Sequence, residues 1–143
     1  MIPWKRLDAV QLEDGVELKL MQRGREFSIM LGSNELMNSR LSGSEEALAN
    51  LAAEKLDGRQ NPRVLIGGLG MGFTLRAALA SLGADARITV AELVPEVISW
   101  ARGPMAEVFD GCLYFTPRCS PYNCLIQLTS GCVKIGHIVC YIT

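Results

Sequence analysis

The sequence predicts an α/β domain built on a parallel sheet and preceded by a small antiparallel β meander. Three observations carry this prediction. Residues 63–72, RVLIGGLGMG, read as a buried strand that runs straight into a glycine turn and opens a helix. A second apolar run, 87–91, ends in Glu92, 20 residues beyond the last glycine of that turn. Ahead of both, alternating apolar and polar residues are cut by Asp14-Gly15 and Arg23-Gly24, the punctuation of antiparallel hairpins.

Composition bounds the function classes. The 143 residues are 49% hydrophobic, enough for a real core. A net charge of -1 leaves no electrostatic footprint for nucleic acid or an anionic membrane. No run of eighteen apolar residues exists, and MIPWKRLDAV has no apolar h-region behind its basic pair, so the expectation is a cytoplasmic protein.

The chain divides in three: a meander and entry loop over 1–43, the first half of a nucleoside-binding domain over 44–113, and an atypical Cys-rich tail over 114–143. Strands are expected at 7–12, 16–22 and 26–31. Val16, Leu18 and Leu20 alternate with Glu17 and Lys19, the mark of a sheet with one wet face, here a packing layer without chemistry. Residues 32–43 read as polar loop. Ser42 and Glu45 then form a capping box for a helix over 44–56 that buries Leu48, Leu51, Ala52 and Leu56. The central strand follows, expected to be covered on both faces by helices. After it comes a helix over 73–82 whose free N–H groups point back at the glycine turn. Pro95 opens a third helix with Val97, Ile98 and Ala101 inward, ending by Gly103-Pro104.

Strand, glycine turn, helix, strand and acid make a Rossmann-like βαβ unit. Positive φ at Gly68, Gly70 and Gly72 would bring the backbone close to a ligand. Glu92, at the end of the second strand, is placed to accept hydrogen bonds from two ribose hydroxyls of an adenosine. The dinucleotide fingerprint G-x-G-x-x-G would put its third glycine at Phe73. The spacing here is G-x-G-x-G, similar to the first motif of methyltransferases, which favours adenosylmethionine-type ligands over NAD(P).

VLIGGLGMGFTLRAAL and VAELVPEVISWA together resemble the spermidine synthase-like proteins of the class I S-adenosylmethionine-dependent methyltransferase superfamily, and the likeness runs from residue 1 to about 113. The resemblance implies a partial Rossmann-like methyltransferase fold. It also implies a transferase that uses S-adenosylmethionine or its decarboxylated form as co-substrate, for methyl or aminopropyl transfer. Gly68, Gly70 and Gly72 would then lie against the aminoacyl end of the ligand, Glu92 would hold its ribose and Leu93 would flank its adenine. The chain departs from the family at Met71, where the family has an acid. Its D-G-x-x-Q motif stands here as Leu31-Gly32 followed by Glu35, and its Tyr-His pair as Ser44 and Glu45. Glu35 is the one candidate carboxylate for a cationic polyamine substrate.

All 15 acidic residues lie at or before Asp110 and all five cysteines lie beyond it, so the family's catalytic aspartate has no counterpart. The catalytic residues are therefore unassigned. Tyr114, Tyr122 and Tyr141 are the unassigned tail groups that could serve as a base. The cysteines contain no C-x-x-C pair and His137 is the single histidine, so no metal site is expected. The tail reads as a departure from the family's reading frame near Cys112. The other reading is a folded closure with strands at 125–128 and 133–142. A half-sheet would leave the central strand with an open edge, and self-association into homo-oligomers is expected from it. The functional expectation is a small-molecule nucleoside site that is catalytically incomplete. The alternative is a non-catalytic binding or remnant module.

Overall fold

The computed structural model describes residues 1–110, 123–128 and 139–142. It divides into two compact units, Met1–Leu41 and Ser42–Thr143.

The first unit is a four-stranded antiparallel sheet, β1 (Lys5–Gln11), β2 (Glu17–Arg23), β3 (Glu26–Leu31) and β4 (Asn34–Asn38), paired in that order. The expected alternation holds. Leu18, Leu20, Phe27 and Ile29 are buried, while Lys19 and Met21 stay half-exposed on the other face. β4 corrects the loop expected over 32–43. Gly32, at φ 58°, turns the chain so that Asn34 pairs with Leu31 and Asn38 with Ser28. Asn38 closes the strand, its Oδ1 accepting from the N–H groups of Arg40 and Leu41 at 3.0 and 3.1 Å.

In the second unit, α1 (Gly43–Lys55) packs against α2 (Phe73–Ser81). Two expectations for α1 fail. Ser42 makes no side-chain cap; its hydroxyl instead donates to Glu46 Oε1 at 2.6 Å. Leu51 is 59% exposed, and the buried stripe runs through Ala49, Ala52 and Leu56 instead. The register shifts because two alanines let α1 approach α2 closely, where leucines would hold the helices apart.

Strands β5 (Arg63–Gly67) and β6 (Arg87–Glu92) are parallel neighbours, with Val64 opposite Ile88 and Ile66 opposite Val90. The expected right-handed βαβ unit is what two apolar runs joined by α2 produce. Val64, Ile66, Ile88 and Val90 are buried on one face. On the other, Leu65 is 38% exposed, and Thr89 and Ala91 are half-buried. Among the described residues, α2 and α3 (Pro95–Arg102) join strands that succeed one another in one direction, which puts both helices on one side, so helical cover is seen on one face where both were expected to be covered. Pro95 begins α3 as expected, but Trp100, at 2% exposure, fills the inner place expected for Ile98.

Two tail segments join this sheet. β7 (Asn123–Leu128) runs parallel to β6, and β8 (Val139–Ile142) antiparallel to β5, giving the order β7-β6-β5-β8. The central strand thus has a neighbour on each side, and the open edge expected at β5 is paired. Residues 133–138 of the expected last strand lie outside the described residues.

Candidate functional site

The glycine turn begins where β5 ends, and its shape follows from the residues between the glycines. Leu69 and Met71 are 2% and 0% exposed. Both are driven into the core, so the backbone between them must fold back on itself. Gly68, Gly70 and Gly72 take φ of 93°, 54° and 76°, a conformation that costs a residue with a Cβ about 1 to 2 kcal/mol. Met71, where the family has an acid, is fully buried.

Glu92 closes the site from the neighbouring strand. Its Oε2 accepts the N–H of Leu69 at 2.7 Å and its Oε1 the N–H of Val94 at 2.9 Å. Gly68 N–H donates to Ala91 O at 2.7 Å beside it. One buried carboxylate therefore ties together the two consecutive βα turns at the carboxyl edge of the sheet. Each of its oxygens keeps a further lone pair, the acceptor capacity a ribose diol uses. Leu93, half-buried, sits between Glu92 and Val94. All five residues expected at the nucleoside site meet at this edge of the second unit.

Gly72 has a packing role besides the one expected of it at the ligand. A Cβ there would overlap Cε1 and Cδ1 of Phe109, a residue 1% exposed. The segment carrying Phe109 is pinned to α2 by Arg76, whose Nη1 donates to Val108 O at 2.7 Å and whose Nη2 lies 3.7 Å from Asp110. Nothing local to Phe109 signals this contact, because 37 positions separate the two residues in the chain. Thr74 is a second unforeseen feature: it is 2% exposed, and its Oγ1 is buried without a hydrogen-bond partner among the described residues. A groove of about 560 Å³, lined by Glu46, Asn50, Phe73, Arg76, Phe109 and Asp110 among others, contains none of the five nucleoside-site residues. The carboxyl edge remains the stronger candidate, because that is where open α/β sheets bind ligands.

Glu35 belongs to the first unit. Its Oε1 accepts from Ser28 Oγ at 2.6 Å and its Oε2 from Asn38 Nδ2 at 3.1 Å. The Ser28 hydroxyl holds its carboxyl below the ordinary value of 4.5, against a smaller opposing effect of desolvation and with help from Asn38 and Arg40. Both oxygens are already engaged by the sheet's own side chains. Ser44 and Glu45 bond to each other at the exposed start of α1. Tyr114, Tyr122, His137 and three of the cysteines lie outside the described residues, and Tyr141 pairs in register with Leu65. Among the described residues, no group of three or more His, Cys, Asp or Glu could hold a metal ion, and no helix is long and apolar enough to cross a membrane.

No protein-family model matches the chain, and no curated protein matches it. Solved structures do. Spermidine synthase from Thermotoga maritima superposes with a TM-score of 0.62 at 20% identity, over 87% of this chain and 40% of that one. A spermidine synthase in complex with the transition state analogue AdoDATO gives 0.60 at 19% identity, over 87% and 41%. The chain spans about two fifths of the length of these structures. The fold of this protein, an antiparallel sheet followed by part of a Rossmann-like domain, is therefore spermidine synthase-like.

Proposed function

We propose that this chain binds an adenosine-containing sulfonium or thioether, S-adenosylmethionine or its decarboxylated form, at Gly68, Gly70, Gly72, Glu92 and Leu93, as a transferase-type domain that is catalytically incomplete. The observation that carries the reading is the Glu92 carboxylate, fixed by two main-chain N–H groups at the mouth of the glycine turn. A carboxylate held there needs no reorganisation to receive a ribose diol. The likeness to a spermidine synthase solved with AdoDATO supports the ligand class. G-x-G-x-G with Met71 buried leaves no evident seat for a second nucleotide, which sets NAD(P) behind it. A small-molecule ligand rather than nucleic acid fits the net charge of -1, and the proposed location is the cytoplasm.

Catalysis needs more than the cradle. Amine alkylation requires a base within hydrogen-bond reach of the nucleophile, and the sequence has no acid after Asp110. Equal binding of ground and transition states accelerates nothing. That absence also favours the second reading, a non-catalytic nucleoside-binding module. Titration calorimetry with adenosylmethionine, methylthioadenosine and NAD tests the site: the first two should bind more tightly. Glu92→Gln should weaken them by about 1 to 3 kcal/mol, the range for a charged hydrogen-bond acceptor. A melting curve on the same variant separates lost binding from lost folding. Equal affinity for NAD would remove the assignment, and measurable methyl or aminopropyl transfer would overturn the incompleteness.

A further inference from the structure

The first unit contains a second concavity that the nucleoside reading does not use. It lies on the face of the meander opposite Leu18, Leu20, Phe27 and Ile29, the face the sequence reads as wet. About 390 Å³ in volume, it is lined by Trp4, Lys19, Met21, Arg23, Ser28, Met30, Glu35 and Arg40. Three cations therefore meet one carboxylate in it.

The partners of these charges decide what the groove can accept. Glu35, itself exposed, accepts from Ser28 on one oxygen and Asn38 on the other. Arg23 is structural: its Nε and Nη2 both donate to Glu26 Oε2, at 3.2 and 2.7 Å, while its guanidinium lies 4.6 Å from the centroid of the Trp4 ring. Lys19 and Arg40 are held loosely. Lys19 Nζ is 4.0 Å from Glu17, and Arg40 Nε is 4.0 Å from Glu26, both at the limit of an ion pair. Pairs of that length on an accessible surface contribute little, so either cation can turn to a new anion at small cost. Around them, the thioethers of Met21 and Met30 and the stacked Trp4–Arg23 pair provide polarizable surface, which suits an aromatic ring.

We propose that this groove is a binding site for a small aromatic anion, a phosphate or carboxylate on a planar ring, with Lys19 and Arg40 on the anion and Trp4, Met21 and Met30 against the ring. A polyamine is the wrong charge for it, since three cations line the groove against one carboxylate. The site is independent of the glycine turn, and its residues all belong to the first unit.

The test is calorimetry on the full chain at low salt, with phenyl phosphate, inorganic phosphate, benzylamine and putrescine as probes. Phenyl phosphate should bind saturably, inorganic phosphate more weakly, and the two amines not measurably. Lys19→Met and Arg40→Met, which keep the apolar stems, should each weaken phenyl phosphate about tenfold, the size of one charge-assisted hydrogen bond. Glu35→Gln, which removes the one opposing charge, should tighten it; a purely structural role for Glu35 would not move the affinity upward. Preference for either amine, equal affinity for inorganic and phenyl phosphate, or indifference to both cation variants would overturn the proposal. Loss of phenyl phosphate binding with adenosylmethionine titration intact removes this site alone, and the reverse result removes the nucleoside site alone.

Discussion

Gly72→Ala is the substitution whose cost the structure lets one divide into parts. Gly58 and Gly72 have nearly the same backbone, φ of 79° and 76°. A Cβ on Gly58 would meet nothing within 4 Å, whereas one on Gly72 would overlap the Phe109 ring. Alanine at Gly58 therefore measures the left-handed conformation alone, about 1 to 2 kcal/mol. Alanine at Gly72 adds the displacement of a packed ring, about 1 to 3 kcal/mol more. The entropy alanine removes from the unfolded chain, about 0.4 to 1 kcal/mol, offsets both alike and cancels in the comparison. Urea denaturation of the two variants should thus show Gly72→Ala less stable than Gly58→Ala by about 1 to 3 kcal/mol, with unchanged m-values. Phe109→Leu, which draws atoms away from the overlap, should be less costly in the Gly72→Ala background than in the native one, with a coupling of at least about 0.5 kcal/mol. Equal losses at the two glycines, or strict additivity with Phe109→Leu, would refute the packing role given to Phe109.

Thr74→Val replaces the buried, unpartnered hydroxyl with a methyl of the same shape and should raise stability by about 1 kcal/mol; a lower melting temperature would show that the hydroxyl has a partner. Glu35 has a lowered carboxyl pKa in the folded state, so its contribution to stability is full above the ordinary value of 4.5 and is lost as pH falls through the lowered one. Glu35→Gln should flatten the stability profile in that acid window and leave its shape above it unchanged, as read from urea midpoints at successive pH values. Leu51→Ala on the exposed side of α1 should change stability by no more than about 0.5 kcal/mol, while Ala52→Leu should cost about 1 to 3 kcal/mol by overpacking the contact with α2; a large loss at Leu51 would restore the stripe read from the sequence.

The βαβ unit is legible in the residues alone. Its signals there are local: an apolar run of strand length, glycines at alternate positions, an acid at the end of the next strand. Chain connectivity and handedness then leave one way to join them, so the placing of Gly68, Gly70, Gly72 and Glu92 at one edge of the sheet is legible before any coordinates, while Leu93 is named only through the family resemblance. The hairpins announced themselves in the same way, through alternation and turn dipeptides. What each residue does to its neighbours emerges from packing. Glu92 serves the glycine turn through bonds to Leu69 and Val94 N–H, a role that spacing cannot separate from ribose binding. Gly72 looks the same as Gly70 in the string, yet a ring 37 positions away sits on it. Leu51 and Ala49 both fit helical periodicity, and the close approach of α2 selected the smaller side chain. The tail carries no periodicity of its own, so its strands stood in the sequence only as the other reading, a folded closure, and they form by pairing with the edges that β5 and β6 present. In each case the deciding quantity is a distance between residues far apart in the chain, which composition and spacing do not encode.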